Sequence, residues 1–452
     1  MLFRSDTFTG PVNITSGTFL AGSISALGNV LNPVTLANTV GVTLDLNGNS
    51  VVIGSLSGGG TTGGTVSLGA AALTVGGNNE NTTFGGAITG AGGVLSKNGT
   101  GILTLAGTNT YDSGTLINAG LININSSAAL GAAAGAVSIA AGAGLQWAAN
   151  NTNNAYDITA HTVTLGNGNV IFDTNGNVVA FANPIGEAGT GNLVKNGFGT
   201  LILQAANNYS GTTTVNQGVL NLRDAGALGV TASGVTVNVN GALTLQGGLN
   251  FGTKPLTLNG SGAVTGQAGA LVNVSGANTY AGVITLGSSA TIAVDAGTLT
   301  LNSGTAVGGT GTLTLAGAGS GTLADNLNQI GGLNKTGTGA WTLTGASSSF
   351  TGPLSLTGGT LNFVSGALGT GTNNVTLGGG VLDLSSGSQS INNLTISAGT
   401  NNFVTLGAGA TLVAGGTLTR GTGGLVSFDL SAASPIVKIV GGVGSGPNNI
   451  LG

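Results

Sequence analysis

The chain has 452 residues, with 8 Lys and Arg against 12 Asp and Glu, a net charge of −4, and no cysteine. So little charge, with no Lys or Arg cluster, excludes a nucleic-acid binder, and the lack of cysteine excludes thiolate metal sites and disulfides. Its 89 glycines suggest low-complexity disorder, but 40% hydrophobic residues in alternating runs and a mean hydropathy of +0.41 exclude it, because disordered chains lack apolar content to bury.

In chain order, Met1 to Asp6 has no apolar stretch and does not read as a signal peptide. Phe8-Thr9-Gly10-Pro11, with Gly17-Thr18, is a fragment of a repeat spanning residues near 8–28. The first full copy spans 95–131: Lys97-Asn98-Gly99-Thr100-Gly101-Ile102-Leu103-Thr104-Leu105, then Tyr111, Gly120 and Gly131. An Ala-rich tract follows, from Ala128 to Ala149. Its glycines and missing helix caps make it a small-residue turn rather than a helix, and Ser138 and Gln146 interrupt it as a membrane span.

Next come the residues with any claim to chemistry. His161 is the only histidine and has no second histidine or cysteine beside it, so it reads as a satisfied or exposed strand residue. Asp157 and Asp173, 16 apart, are the one carboxylate pair that stacking of adjacent turns brings together.

The second copy, 193–229, repeats the first at a constant offset of 98: Lys195, Leu201, Tyr209, Gly218 and Gly229 stand for Lys97, Leu103, Tyr111, Gly120 and Gly131. Asn278-Thr279-Tyr280-Ala281-Gly282 is a weaker echo. The third copy, 333–369, follows the second by 140, running from Lys335 through Trp341, Phe350 and Gly359 to Gly369. The corresponding positions Leu103, Leu201 and Trp341; Ile117, Val215 and Leu356; Ile122, Leu220 and Leu361; and Ile124, Leu222 and Phe363 alternate with Thr, Asn or Gly. They predict strands with one buried face and form the candidate repeat core. The three repeated lysines read as solvated corner residues. Thr-x-Thr pairs at 162/164, 298/300, 312/314, 342/344 and 417/419 suit outward strand faces, and their uneven spacing argues against the continuous array that binds ice.

Offsets of 98 and 140 are close to multiples of about 20 residues, a plausible turn of a β-solenoid. The expected fold is all-β: one elongated solenoid domain over residues 1–452, a rod on the order of 100 Å long at about 4.8 Å per turn. No glycine-rich calcium nonapeptide is present, and no cofactor, metal or catalytic residue is expected.

Leu193-Val194-Lys195-Asn196-Gly197-Phe198-Gly199-Thr200-Leu201-Ile202-Leu203, followed by Asn207-Asn208-Tyr209-Ser210-Gly211-Thr212-Thr213-Thr214-Val215 and Gly218-Val219-Leu220, resembles the autotransporter-associated β-strand repeat. The copies at 95–131 and 333–369 match less fully, with Phe350 for the tyrosine and Ser347-Ser348-Ser349 for asparagines. The resemblance implies a right-handed parallel β-helix, a non-enzymatic passenger stalk or adhesin at the outer surface of a Gram-negative-type bacterium, with no shared catalytic residues. No stretch has the aromatic-girdled strands of a membrane barrel, so this segment is not expected to insert into a membrane. The expected partners are a host or environmental surface, or the chain itself. The alternative is an extracellular filament or sheath subunit stacking head-to-tail through open strand edges.

Overall fold

Alternating side chains and left-handed glycine corners make each short strand end in a turn and stack on the strand one turn earlier. The computed structural model describes residues 2–3, 8–149, 156–187, 189–230, 233–263, 268–345, 348–364, 367–368 and 371–442. They form a parallel β-solenoid of about 19 turns. The only helical element among them is one 3-10 turn, Ser127–Leu130, inside the Ala-rich tract, whose remainder supplies strands Val137–Ile139 and Gly144–Trp147. The ends of the chain at 1 and 4–7 and at 443–452, together with Ser347 and Gly369 of the third copy, lie outside the described residues.

The chain divides into two compact units, Met1–Thr214 with Gly226–Thr231, and Val215–Ala225 with Ala232–Gly452. In the first, Ala72–Val75, Val94–Lys97, Thr115–Ile117, Val137–Ile139 and Val163–Leu165 stack as one parallel sheet. Thr82–Phe84, Ile102–Leu105, Leu121–Ile124, Gly144–Trp147 and Asn169–Asp173 stack as another. In the second unit, Ala277–Tyr280, Thr298–Leu301, Ser320–Leu323, Ala340–Leu343 and Thr360–Val364 do the same.

Turn length varies more than a value near 20 suggests. It runs from 18 residues, where Leu2 pairs with Leu20, to 30, where Gly260 pairs with Ala290. Most strand pairs keep their register while the corners between them absorb the extra residues, where loop length costs little, and register shifts occur at Leu245/Gln246, Leu258/Gly260 and Asn362/Val364.

Inward residues form straight columns. Leu103, Ile122, Leu145 and Phe172 stack in the first unit, and Leu301, Leu323, Leu343 and Phe363 in the second. All the repeat-core positions named above are buried. Trp147, Phe172 and Phe181 pack together with ring centroids 5.5–6.3 Å apart.

Trp341 takes a place that the other copies give to leucine, and Gly321 pairs with it one turn earlier. A Cβ on Gly321 would lie 2.4 Å from the indole, so the larger ring depends on the missing side chain.

Outward, Thr279, Thr300, Thr322 and Thr342 form one continuous column. Its neighbour reads Ala277, Thr298, Ser320, so a double threonine row does not form there.

Candidate functional site

The sequence repeat becomes a structural device at its lysine corner. Strands Val94–Lys97, Asn192–Asn196 and Gly332–Lys335 carry lysine two residues after an inward leucine, and strand parity therefore points it inward too. Lys97 stands in a column between Val75 and Ile117, Lys335 between Leu315 and Leu356, and Lys195 beside Phe172. Their exposures are 1, 0 and 0% for Lys97, Lys195 and Lys335, which corrects the reading of a solvated corner residue.

Main-chain carbonyls surround each buried ammonium and offset part of the cost of its burial. Lys97 Nζ donates to the carbonyls of Asn98 (2.7 Å), Gly99 (2.8 Å) and, one turn later, Ala119 (3.2 Å). Lys335 Nζ donates to Thr336 (2.6 Å), Gly337 (3.1 Å) and Gly358 of the next turn (3.1 Å). Lys195 Nζ reaches Asn196 and Gly197 at 2.8 and 2.7 Å. Gly99, Gly197 and Gly337 have φ of 67, 71 and 70°, the left-handed turn that folds these carbonyls back over the ammonium. Burial pushes Lys97 and Lys335 down to about 8 and Lys195 to about 7, with Asp173 opposing the fall at Lys195. The second unit has a neutral counterpart. Buried Asn273 donates to the carbonyls of Gly276 at 3.2 Å and Ala296 at 2.7 Å.

A second device follows 12 residues after the lysine in the first two copies. Asn109 accepts from Ile88 N (2.7 Å) on the preceding turn and donates to Ala129 O (2.6 Å) on the following one. Asn207 does the same with Ile185 N at 2.9 Å and Ala227 O at 2.6 Å. Two residues on, the Tyr111 hydroxyl lies 2.7 Å from Thr115 Oγ1, which donates to Leu130 O at 3.0 Å. Tyr209 pairs with Thr213 at 2.7 Å. In the third copy both partners change together, to Phe350 and Leu354, and both are buried. Replacing both members of a hydrogen-bonded pair with apolar groups leaves no orphan, so the site tolerates either solution. Ser348 keeps only part of the asparagine's role, accepting from Leu327 N at 2.9 Å.

The chemical candidates do not assemble into a site. His161 is buried just before Val163–Leu165, not within a strand, with Nδ1 2.8 Å from Gly135 O. Asp157 accepts from Thr159 and from Ala182 N, and Asp173 from Asn175 N and Gln146 Nε2, so the two carboxylates serve separate corners. Asp45-Leu46-Asn47-Gly48-Asn49 and Asp173-Thr174-Asn175-Gly176-Asn177 are one corner used twice. In both, the aspartate accepts from the middle asparagine N at 2.9 Å, and both asparagine amides bind carbonyls of the preceding turn. The matching five-residue pattern is the signal that betrays it in the sequence. No group of three His, Cys, Asp or Glu among the described residues is placed to hold a metal ion. A cleft of about 590 Å³ in the second unit is lined by small neutral residues, among them Asn240, Ser261, Thr291 and Thr314. Among the described residues no helix is long and apolar enough to cross a membrane, which leaves β-barrel insertion untouched.

The passenger-associated-transport-repeat family matches residues 95–124, 193–222 and 333–363, the three segments that carry the lysine corners. The chain carries three passenger-associated-transport repeats. This passenger-repeat chain is also 34% identical over 185 residues to a protein named adhesin BmaC autotransporter from Brucella suis biovar 1 (strain 1330). That match covers 38% of the chain and 5% of the relative, so the chain spans a small part of its curated relative. No solved structure matches the passenger-repeat chain.

Proposed function

We propose that the chain is a passenger-type stalk and adhesin segment, carried to the outer surface of a bacterium to meet a host or environmental surface. The observation that supports this most is the repeat itself. Three family matches fall on corners whose buried lysines bind the solenoid's own backbone, which is architecture rather than chemistry. The likeness to a protein named as an adhesin supports the adhesive half of the reading. The segment works as a scaffold: stacked turns hold outward columns of Thr, Ser and Asn at a regular spacing of about 4.8 Å, with almost no charge to dictate long-range attraction. The family match and the relative lend head-to-tail filament assembly no support.

Beads coated with the purified chain and offered to immobilised extracellular-matrix proteins and cultured cells test the adhesive role. Retention above that of beads carrying an unrelated β-solenoid is expected. Equal retention of both bead types would remove the adhesive role and leave the stalk.

A further inference from the structure

Each repeat copy buries one ammonium among corner carbonyls, and in the first and third copies that ammonium also binds the following turn. Most other cross-turn side-chain bonds join neutral groups. Examples are Asn177 to Ala148 O at 3.0 Å and Asn278 to Leu249 N at 2.6 Å. A solenoid turn contacts only its neighbours, so unravelling from a free end proceeds turn by turn and pauses where one interface is hardest to open. At a lysine corner several charge-assisted bonds must break before water reaches the ammonium, which raises the barrier to opening. The net depth of the native state gains less, because burying the charge carried its own desolvation cost.

We propose that the three lysine corners are latches that divide mechanical unravelling of the chain into segments set by their spacing. A stalk loaded from its ends would then lose length in a few large steps, and the corners still closed would hold the rest. This inference holds whatever surface the chain meets.

Optical-tweezers extension of the full chain, held at its two termini, tests it. Lys97 and Lys195 are 98 residues apart, and Lys195 and Lys335 are 140 apart. Released chain spans about 3.5 Å per residue, so two favoured steps of roughly 340 and 490 Å are expected. Lys195→Met should merge them into one step of roughly 830 Å. If Lys195→Met does not fold, Lys195→Asn, which copies the amide of Asn273, should shorten the middle pause at least tenfold. Release in increments of single turns with no favoured length would overturn the proposal. So would persistence of both steps in Lys195→Met, or an unchanged pause in Lys195→Asn.

Discussion

At the scale of single residues, the buried lysines set a pH dependence whose sign follows from their burial. Lys97 and Lys335 are held down to about 8 and Lys195 to about 7, whereas an unfolded lysine titrates near ~10.4. Between those values the unfolded chain binds protons that the folded chain has released. Stability therefore rises with pH across that window and is lost as pH falls through about 8 and then about 7. Tyr111, Tyr209 and Tyr280 run the other way. Burial raises all three, so the stability they lend is present below the ordinary tyrosine value of about 10 and fades above it. The urea midpoint should climb from pH 7 to a maximum near about pH 10 and then fall. Replacing all three lysines with Met should abolish the climb and leave the fall. Each replacement also strips donors from corner carbonyls and should cost about 2 kcal/mol at pH 7, measured by urea titration. Tyr111→Phe and Thr115→Leu should each cost about 1 to 2 kcal/mol, while the double variant, which copies Phe350 and Leu354, should cost less than their sum in a double-mutant cycle. The lysines' burial was legible: in Leu95-Ser96-Lys97, Leu193-Val194-Lys195 and Leu333-Asn334-Lys335, strand alternation alone places the lysine on the leucine's side. The carbonyl cage that makes burial tolerable was not, because it depends on a left-handed glycine and on the height of the next turn.

At the scale of strands and turns, the solenoid tolerates change at its corners and resists it in its columns. Gly321→Ala should destabilise the second unit by about 1 to 3 kcal/mol, because the new methyl meets the Trp341 indole. Trp341→Leu should recover much of that loss when added to it, and thermal melting of both variants would show whether it does. Alternation and repeat offsets exposed the strands and the buried columns, because both depend on residue type at fixed local spacing. Turn length was less legible. The offsets of 98 and 140 average over turns, and the sequence marks no difference between a corner of few residues and one of many. The same averaging hid the pairing of Gly321 with Trp341, 20 residues apart, which only the register reveals.

At the scale of the whole molecule, many of the buried polar groups described tie one turn to the next, and the outward column of Thr279, Thr300, Thr322 and Thr342 is neutral and hydroxyl-bearing. The passenger-associated-transport-repeat matches cover the three lysine corners. Display at the cell surface is tested by antibody labelling of intact cells that produce the protein, before and after brief external proteolysis. Labelling without permeabilisation that external protease removes is expected. Labelling that appears only after permeabilisation, and that protease leaves intact, would contradict it.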